Sequence, residues 1–315
     1  MTDDNNKLNI LLSIVIPVYG GEKTIPLVCD EIINKLKDLK YEIILVNDDS
    51  PDNSHEVCLR LHNKYQQIIK YVKLSINSGE HNAVMAGLSF TSGDYVVVLD
   101  DDNQNSVEDI VRLLQFARQN RYDCVYTYYS KKQHSLYRNF GSWFNNLCAT
   151  ILLKKPYNLY LCSFKLFSKF VVKEVVKYKG PFPYIDGLIL QVTSNIGKLQ
   201  VSHQKREIDK SHYTLKKLIS LWLNTFTNFS IIPLRISTVM GLFFSLVGLF
   251  YGAYTIYQKI FNNIEIYKGW TSTMVVILTF AGVQLIILGV IGEYIGRLFL
   301  SHNKKPQYTI YKKYF

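Results

Sequence analysis

The chain has 315 residues, 48% of them hydrophobic, and carries a formal net charge of +11, enough apolar material for one large core or two smaller ones. The positive charge accompanies no nucleic-acid-binding motif and gathers beside two long apolar segments, which points away from nucleic acid and toward anionic lipid head groups. The five cysteines, Cys29, Cys58, Cys124, Cys148 and Cys162, show neither CxxC pairs nor metal-ligand spacing, so they read as free thiols rather than a disulfide framework or zinc site.

Met1 to Leu8 is polar and holds two acids, so no secretory signal is expected. From there the apolar pattern predicts strands over Leu12–Pro17, Tyr41–Asn47, Ile69–Leu74, Tyr95–Leu99 and Cys124–Tyr128. Helical patterns over Thr24–Leu39, Ser54–Tyr65, His81–Thr91 and Val107–Gln119 separate them. This alternation predicts an α/β domain with a mostly parallel sheet covered on both faces, whose ligands bind at the carboxyl ends of the strands. Neither GxGxxG nor GxxxxGK[ST] occurs, which argues against a dinucleotide fingerprint and a P-loop.

The polar residues at those strand ends are the candidate site. The first strand runs into Pro17, Tyr19, two glycines and Glu22, which offer an aromatic face, a flexible turn and an acid. The second ends in Asn47-Asp48-Asp49-Ser50-Pro51-Asp52, where a carboxylate can accept from a base N–H or a ribose hydroxyl. Both stretches are also ordinary turn chemistry, with Asp52 or Ser54 as a helix cap. The fourth strand ends in Asp100-Asp101-Asp102-Asn103-Gln104. Strand alternation sets Asp100, Asp102 and Gln104 on one side and Asp101 on the other. A helix cap needs one acid, whereas three adjacent carboxylates repel one another unless a cation holds them. Hard oxygen donors suit Mg2+ or Mn2+ at Asp100, Asp102 and Gln104.

Toward the C-terminus, Ile236–Gln258 and Gly269–Gly292 are 23 and 24 residues without a formal charge, each long enough to cross a bilayer as a helix. The ten-residue connection Lys259–Lys268 is too short for a domain, so the two form a hairpin. Lys210, Lys216, Lys217 and Arg235 precede it, and Arg297, Lys304, Lys305, Lys312 and Lys313 follow it. The positive-inside rule then predicts a multi-pass membrane protein with the bulk of the chain and both termini cytoplasmic. Gly241, Gly248 and Gly252, with Gly282, Gly289, Gly292 and Gly296, provide small-residue faces compatible with a homo-oligomer.

Ser13-Ile-Val-Ile-Pro-Val-Tyr19, Val46-Asn-Asp-Asp-Ser-Pro-Asp-Asn-Ser54, Asn77-Ser-Gly-Glu-His-Asn-Ala83 and Gly93-Asp-Tyr-Val-Val-Val-Leu-Asp-Asp-Asp102, followed by the hairpin, resemble family 2 glycosyltransferases of GT-A fold. More narrowly, the chain resembles the polyprenyl-phosphate glycosyltransferases. The resemblance implies a nucleotide-sugar donor, UDP- or GDP-linked, and a polyprenyl-phosphate acceptor such as undecaprenyl phosphate. It implies that Pro17, Tyr19, Glu22 and Asp48, with Asp49, surround the base and ribose. It also implies a D-x-D-x-Q metal site at Asp100, Asp102 and Gln104. Asn103 and Ser106 depart from the Leu and Pro common there.

The segment 135–153 has an apolar helical face of Leu136, Phe140, Trp143, Phe144, Leu147 and Ile151. Periodicity fits a core helix and an interfacial helix equally, and the resemblance favours the interfacial one. It further implies that Arg138 and Ser142, with Lys131 or Lys132, hold the acceptor phosphate. Arg206 resembles the Arg of an R-x-x-G-x-S-x-Y segment, with Asp209 in place of Gly, and would clamp the donor diphosphate. Asp186 is the best remaining carboxylate for a positioning or base role, or else caps a helix. The expected organisation is a cytoplasmic catalytic domain over 1–212, a juxtamembrane amphipathic helix over 213–230, a transmembrane hairpin over 231–298 and a basic tail over 299–315. The expected reaction is metal-dependent inverting sugar transfer in which Asp102, Arg206 and Asp186 serve the chemistry. Rival readings are a glycan-extending synthase of the same fold, disfavoured by the absence of Q-x-x-R-W, and a non-catalytic scaffold, disfavoured by the intact metal triad.

Overall fold

The computed structural model describes residues 11–129, 150, 155–156, 158–180, 182–201, 232–261, 269–303 and 306–315. They fall into two units: one of Met1–Leu218 with Lys304–Phe315, the other of Ile219–Asn303.

The first unit is built on an eight-stranded sheet. Its strands are β1 (Leu11–Val18), β2 (Lys40–Asn47), β3 (Ile69–Leu74), β4 (Tyr95–Val98), β5 (Cys124–Tyr129), β6 (Lys165–Ser168), β7 (Ile196–Val201) and β8 (Ile310–Tyr314). The order is β7-β5-β6-β4-β1-β2-β3-β8, with β1, β2, β3 and β4 mutually parallel and β6 and β8 antiparallel to their neighbours. Helices α1 (Ile25–Lys35), α2 (Ser54–Lys64), α3 (Glu80–Leu88) and α4 (Val107–Asn120) connect the first five strands, and α5 (Lys169–Val175) and α6 (Ile185–Val192) lie between β6 and β7. The central strands are apolar on both faces because helices cover both: Leu12, Ile14, Val15 and Ile16 of β1 and Ile43, Ile44, Leu45 and Val46 of β2 are all fully buried.

A buried polar cluster lies within this core. Glu42 of β2 accepts from Ser13 Oγ at 2.5 Å and from Ser92 N and Oγ at 2.7 and 2.8 Å, and pairs with Lys70 Nζ at 2.6 Å. Gly93 closes the cluster by donating to Ser13 Oγ at 2.9 Å, and a Cβ there would stand 2.6 Å from the Leu11 carbonyl. Burial alone would raise the Glu42 pKa, but Lys70, Ser13 and Ser92 outweigh it and hold the carboxyl below its usual range. A carboxylate with a depressed folded pKa stabilises the fold above the unfolded value and loses that contribution as pH falls through the folded one. Glu42→Gln is therefore expected to cost about 2 kcal/mol near neutral pH. Thermal melts in detergent should show the gap to the native protein closing below about pH 4; a gap independent of pH would remove the ion pair from the explanation.

The basic tail expected over 299–315 contains the end of a helix and a strand. Residues 299–302 complete the last helix, and Ile310–Tyr314 pair antiparallel with β3 in the register Tyr71↔Tyr314, Val72↔Lys313 and Lys73↔Lys312. Gln307 Nε2 donates to the carbonyls of Tyr178 and Gly180, both at 2.8 Å, and Ser75 N donates to Thr309 O at 2.9 Å. Lysines on a short edge strand blunt its tendency to pair with other chains.

The second unit consists of α7 (Ile232–Phe261, 30 residues) and α8 (Trp270–His302, 33 residues). At 1.5 Å per residue each is about 45–50 Å long. Within α8, Phe280–Leu300 is long and apolar enough to cross a membrane; Ser237–Gly248 of α7 is a shorter apolar stretch.

Candidate functional site

The loops after β1, β2 and β4 meet at one edge of the sheet, because these strands are parallel neighbours in the order β4-β1-β2. Pro17 lies in register with Val46 near the end of β1, and Tyr19 beyond it is 47% exposed. Gly20 adopts φ +76°, a left-handed turn that side chains resist. Ser50 ties this turn to the β2 loop: its Oγ donates to Val18 O and accepts from Gly20 N, both at 3.3 Å. Asn47 Oδ1 in turn accepts from Ser50 N at 2.8 Å. Glu22 binds the start of α2, with its N–H donating to Asp52 Oδ2 at 3.1 Å and its Oε2 accepting from Asn53 N at 3.4 Å. Asp52 Oδ1 accepts from both Ser54 N and Ser54 Oγ, so the turn reading applies to Asp52.

Asp48 is buried, and its two oxygens accept from Ser78 N at 2.7 Å and Gly79 N at 2.8 Å. Burial raises its pKa, the two amides pull it down, and Asp49 adds to the rise. Asp48 thus anchors the loop that opens α3, a role that the sequence did not suggest. Asp49 is exposed at φ 51°.

At the end of β4, Asp100 accepts from Ser163 Oγ, and Asp102 Oδ1 accepts from Gln104 N at 3.2 Å. Burial, then the Glu80 carboxylate, push Asp100 up to about 7; Ser163 opposes this, and Asp102 and Asp101 reinforce it. Such crowding of negative charge is what a divalent cation relieves, and two carboxylates with an amide oxygen are a hard donor set. Among the described residues no three His, Cys, Asp or Glu side chains are grouped to hold a metal by themselves. Ions of the Mg2+ class are commonly held by one or two carboxylates together with substrate phosphates, and the Asp100, Asp102 and Gln104 set fits that pattern.

Asp186 sits in the first turn of α6 rather than capping it, since the cap position is Tyr184. It is buried, and its Oδ1 accepts from Tyr126 O–H at 2.9 Å and from the Lys165 ammonium. His81 packs edge-on against Tyr184 with ring centroids 5.2 Å apart. Sequence reasoning missed Ser163, Glu80, Lys165 and Tyr126 as neighbours of these acids; Lys165 opens a four-residue strand without a periodic signal, and Ser163 lies in the bend just before it. Lys131, Lys132, Arg138, Ser142 and Arg206 lie outside the described residues, as do 213–230 and most of 135–153.

Residues 13–175 match Glycosyl transferase family 2, and residues 232–298 match the GtrB C-terminal hairpin. The chain is 31% identical over 304 residues to an undecaprenyl-phosphate 4-deoxy-4-formamido-L-arabinose transferase of Photorhabdus laumondii, covering 96% of this chain and 93% of that protein. It is 32% identical, with the same coverage, to the transferase of that name from Yersinia pestis. Among solved structures, glucosyl-3-phosphoglycerate synthase from Mycobacterium tuberculosis, in complex with Mn2+, UDP and phosphoglyceric acid, shares the fold at TM-score 0.51 and 18% identity, over 70% of this chain and 77% of that one. The expected fold class and family resemblance therefore agree with the matches, and the chain belongs to glycosyl transferase family 2.

Proposed function

We propose that this protein transfers a sugar from a nucleotide donor to undecaprenyl phosphate at the cytoplasmic membrane face, with inversion at the anomeric carbon. What carries the reading is that one chain joins the acidic strand edge at Asp48, Asp100 and Asp102 to the hairpin, and aligns over 96% of its length with transferases named for that acceptor. Asp100, Asp102 and Gln104 would hold Mg2+ or Mn2+, which when bound supplies positive charge against the leaving diphosphate. Pro17, Tyr19, Glu22, Asp48 and Asp49 are assigned to the base and ribose, and Arg206 to the diphosphate. Lys131, Lys132, Arg138 and Ser142 are assigned to the acceptor phosphate. With a second pKa of about 6, that phosphate is largely dianionic, so positioning by cations matters more than a strong general base. Asp186, already bonded to Lys165 and Tyr126, suits a positioning role.

A two-pass hairpin is supported by the return of the chain to its own sheet. β3 precedes the two long helices, β8 follows them, and the two strands pair. A chain whose flanking segments share one sheet crosses a bilayer an even number of times, so if Phe280–Leu300 spans, α7 spans too. Flanking Lys and Arg suit anionic lipids. A Cβ at Gly241, Gly248, Gly282, Gly289, Gly292 or Gly296 would meet nothing within 4 Å, which suits self-association.

The test is transfer of radiolabel into organic-extractable lipid by purified protein with undecaprenyl phosphate. The donor panel takes UDP- and GDP-sugars and nucleotide-linked 4-deoxy-4-formamido-L-arabinose. Labelled lipid should form with Mg2+ or Mn2+ and vanish with EDTA or in Asp102→Ala. Label found only in long water-soluble glycan would favour a synthase instead.

A further inference from the structure

β4 ends at Val98, so strand alternation does not reach the acidic triplet; its middle acid, Asp101, stands in the turn that follows and is outside the Asp100, Asp102 and Gln104 set assigned to the metal. Its Oδ2 accepts a hydrogen bond from Tyr19 N at 3.0 Å, across 82 residues of sequence. The same oxygen would stand 2.9 Å from a Cβ at Gly21, which Ile25 Cγ1, also at 2.9 Å, and Val18 Cγ1, at 3.2 Å, crowd from the other sides. Position 21 thus lacks a side chain where the Asp101 carboxylate closes over the turn. Ser50 and Asp52 tie the same turn to the β2 loop through Gly20 N and Glu22 N.

We propose that Asp101 is a positioning residue that fastens the Tyr19–Gly21 turn to the Asp100–Gln104 loop, so that the two ends of the donor site keep one spacing. A carboxylate accepting from a backbone N–H makes a charge-assisted bond, stronger than a neutral one. Without it the turn keeps its ties to the β2 loop and loses its tie to β4. The consequence for donor binding rests on the reading that Tyr19 and Glu22 face the nucleotide, whereas the tie itself does not.

Asp101→Ala and Asp101→Asn separate the possibilities, because an Asn side-chain oxygen can still accept from Tyr19 N while carrying no charge. In the full-length protein in detergent, hydrogen exchange at the Tyr19 amide should speed up about tenfold or more in Asp101→Ala and stay near native in Asp101→Asn. With the donor that the native protein uses, Asp101→Ala should raise donor KM about tenfold with kcat and thermal midpoint little changed, and Asp101→Asn should recover most of that loss. UDP and GDP binding measured in EDTA should follow the same order. Native exchange at Tyr19 in Asp101→Ala would overturn the proposal. So would Asp101→Asn failing as badly as Asp101→Ala together with weakened Mn2+ binding, since that would make Asp101 a charge acting on the metal. A native protein that binds neither nucleotide, with Tyr19 still released in Asp101→Ala, would overturn the donor reading and leave the tie standing.

Discussion

An Asp100→Asn variant is expected to lose sugar transfer by about 10²–10³-fold while melting a few degrees above the native protein near neutral pH in EDTA. The two effects have one cause. Burial and the neighbouring Glu80 push the Asp100 carboxyl from its usual 3.8 to about 7, with Ser163 opposing and Asp102 and Asp101 adding to the rise. A carboxylate whose folded pKa is raised destabilises the fold progressively as pH climbs from the unfolded value to the folded one. Asparagine carries no charge and can still accept from Ser163 Oγ, so it removes the repulsion and keeps the contact. Its gain in thermal midpoint should be absent near pH 4, grow with rising pH and level off above about pH 7. Thermal melts across that range, paired with transfer assays, read both effects. Sites that gather like charge for a ligand trade stability for function in this manner. Full transfer activity in Asp100→Asn would remove Asp100 from the site.

Much of this arrangement is legible in the chain. Alternating apolar runs placed β1 to β5 and α1 to α4 within a few residues, because strands buried on both faces and amphipathic helices impose clear periods. The largest overrun is α1, expected to Leu39 and ending at Lys35. The acids at 48, 100 and 102 stood out as a candidate site because they follow strands of one parallel sheet. Less was visible beyond residue 160. β6 has four residues and reaches its place between β4 and β5 antiparallel to both. Such a strand is ruled by long-range pairing, to which local periodicity is blind. The contacts of Asp101 with Tyr19 and of Asp48 with the loop before α3 are likewise side chain to backbone, and a backbone N–H leaves no mark in sequence. β8 was hidden by its lysines, which read as juxtamembrane charge.

Deleting residues 306–315 is expected to destabilise the catalytic unit by about 3–5 kcal/mol, far more than loss of an exposed tail would. Deletion would bare the hydrogen-bonding edge of β3 and remove Tyr314, whose ring stacks on Tyr71 at 5.4 Å and 12°. Tyr71 is fully buried, and its hydroxyl meets His55 Nδ1 at 2.8 Å and Asn47 Nδ2 at 3.3 Å. Asn47 in turn accepts from Ser50 N, and Ser50 holds the turn after β1. A chain of contacts therefore runs from the C-terminal strand to the loop assigned to the nucleotide. Tyr314→Ala should reproduce part of the effect, about 2 kcal/mol, whereas Tyr311→Ala, at a side chain 69% exposed, should be nearly silent. Chemical denaturation in detergent distinguishes them. Equal midpoints for the truncated and native proteins would mean that β8 is an ornament of the sheet edge; the expected loss would mean that the strand following the two long helices is part of the fold that carries the candidate site.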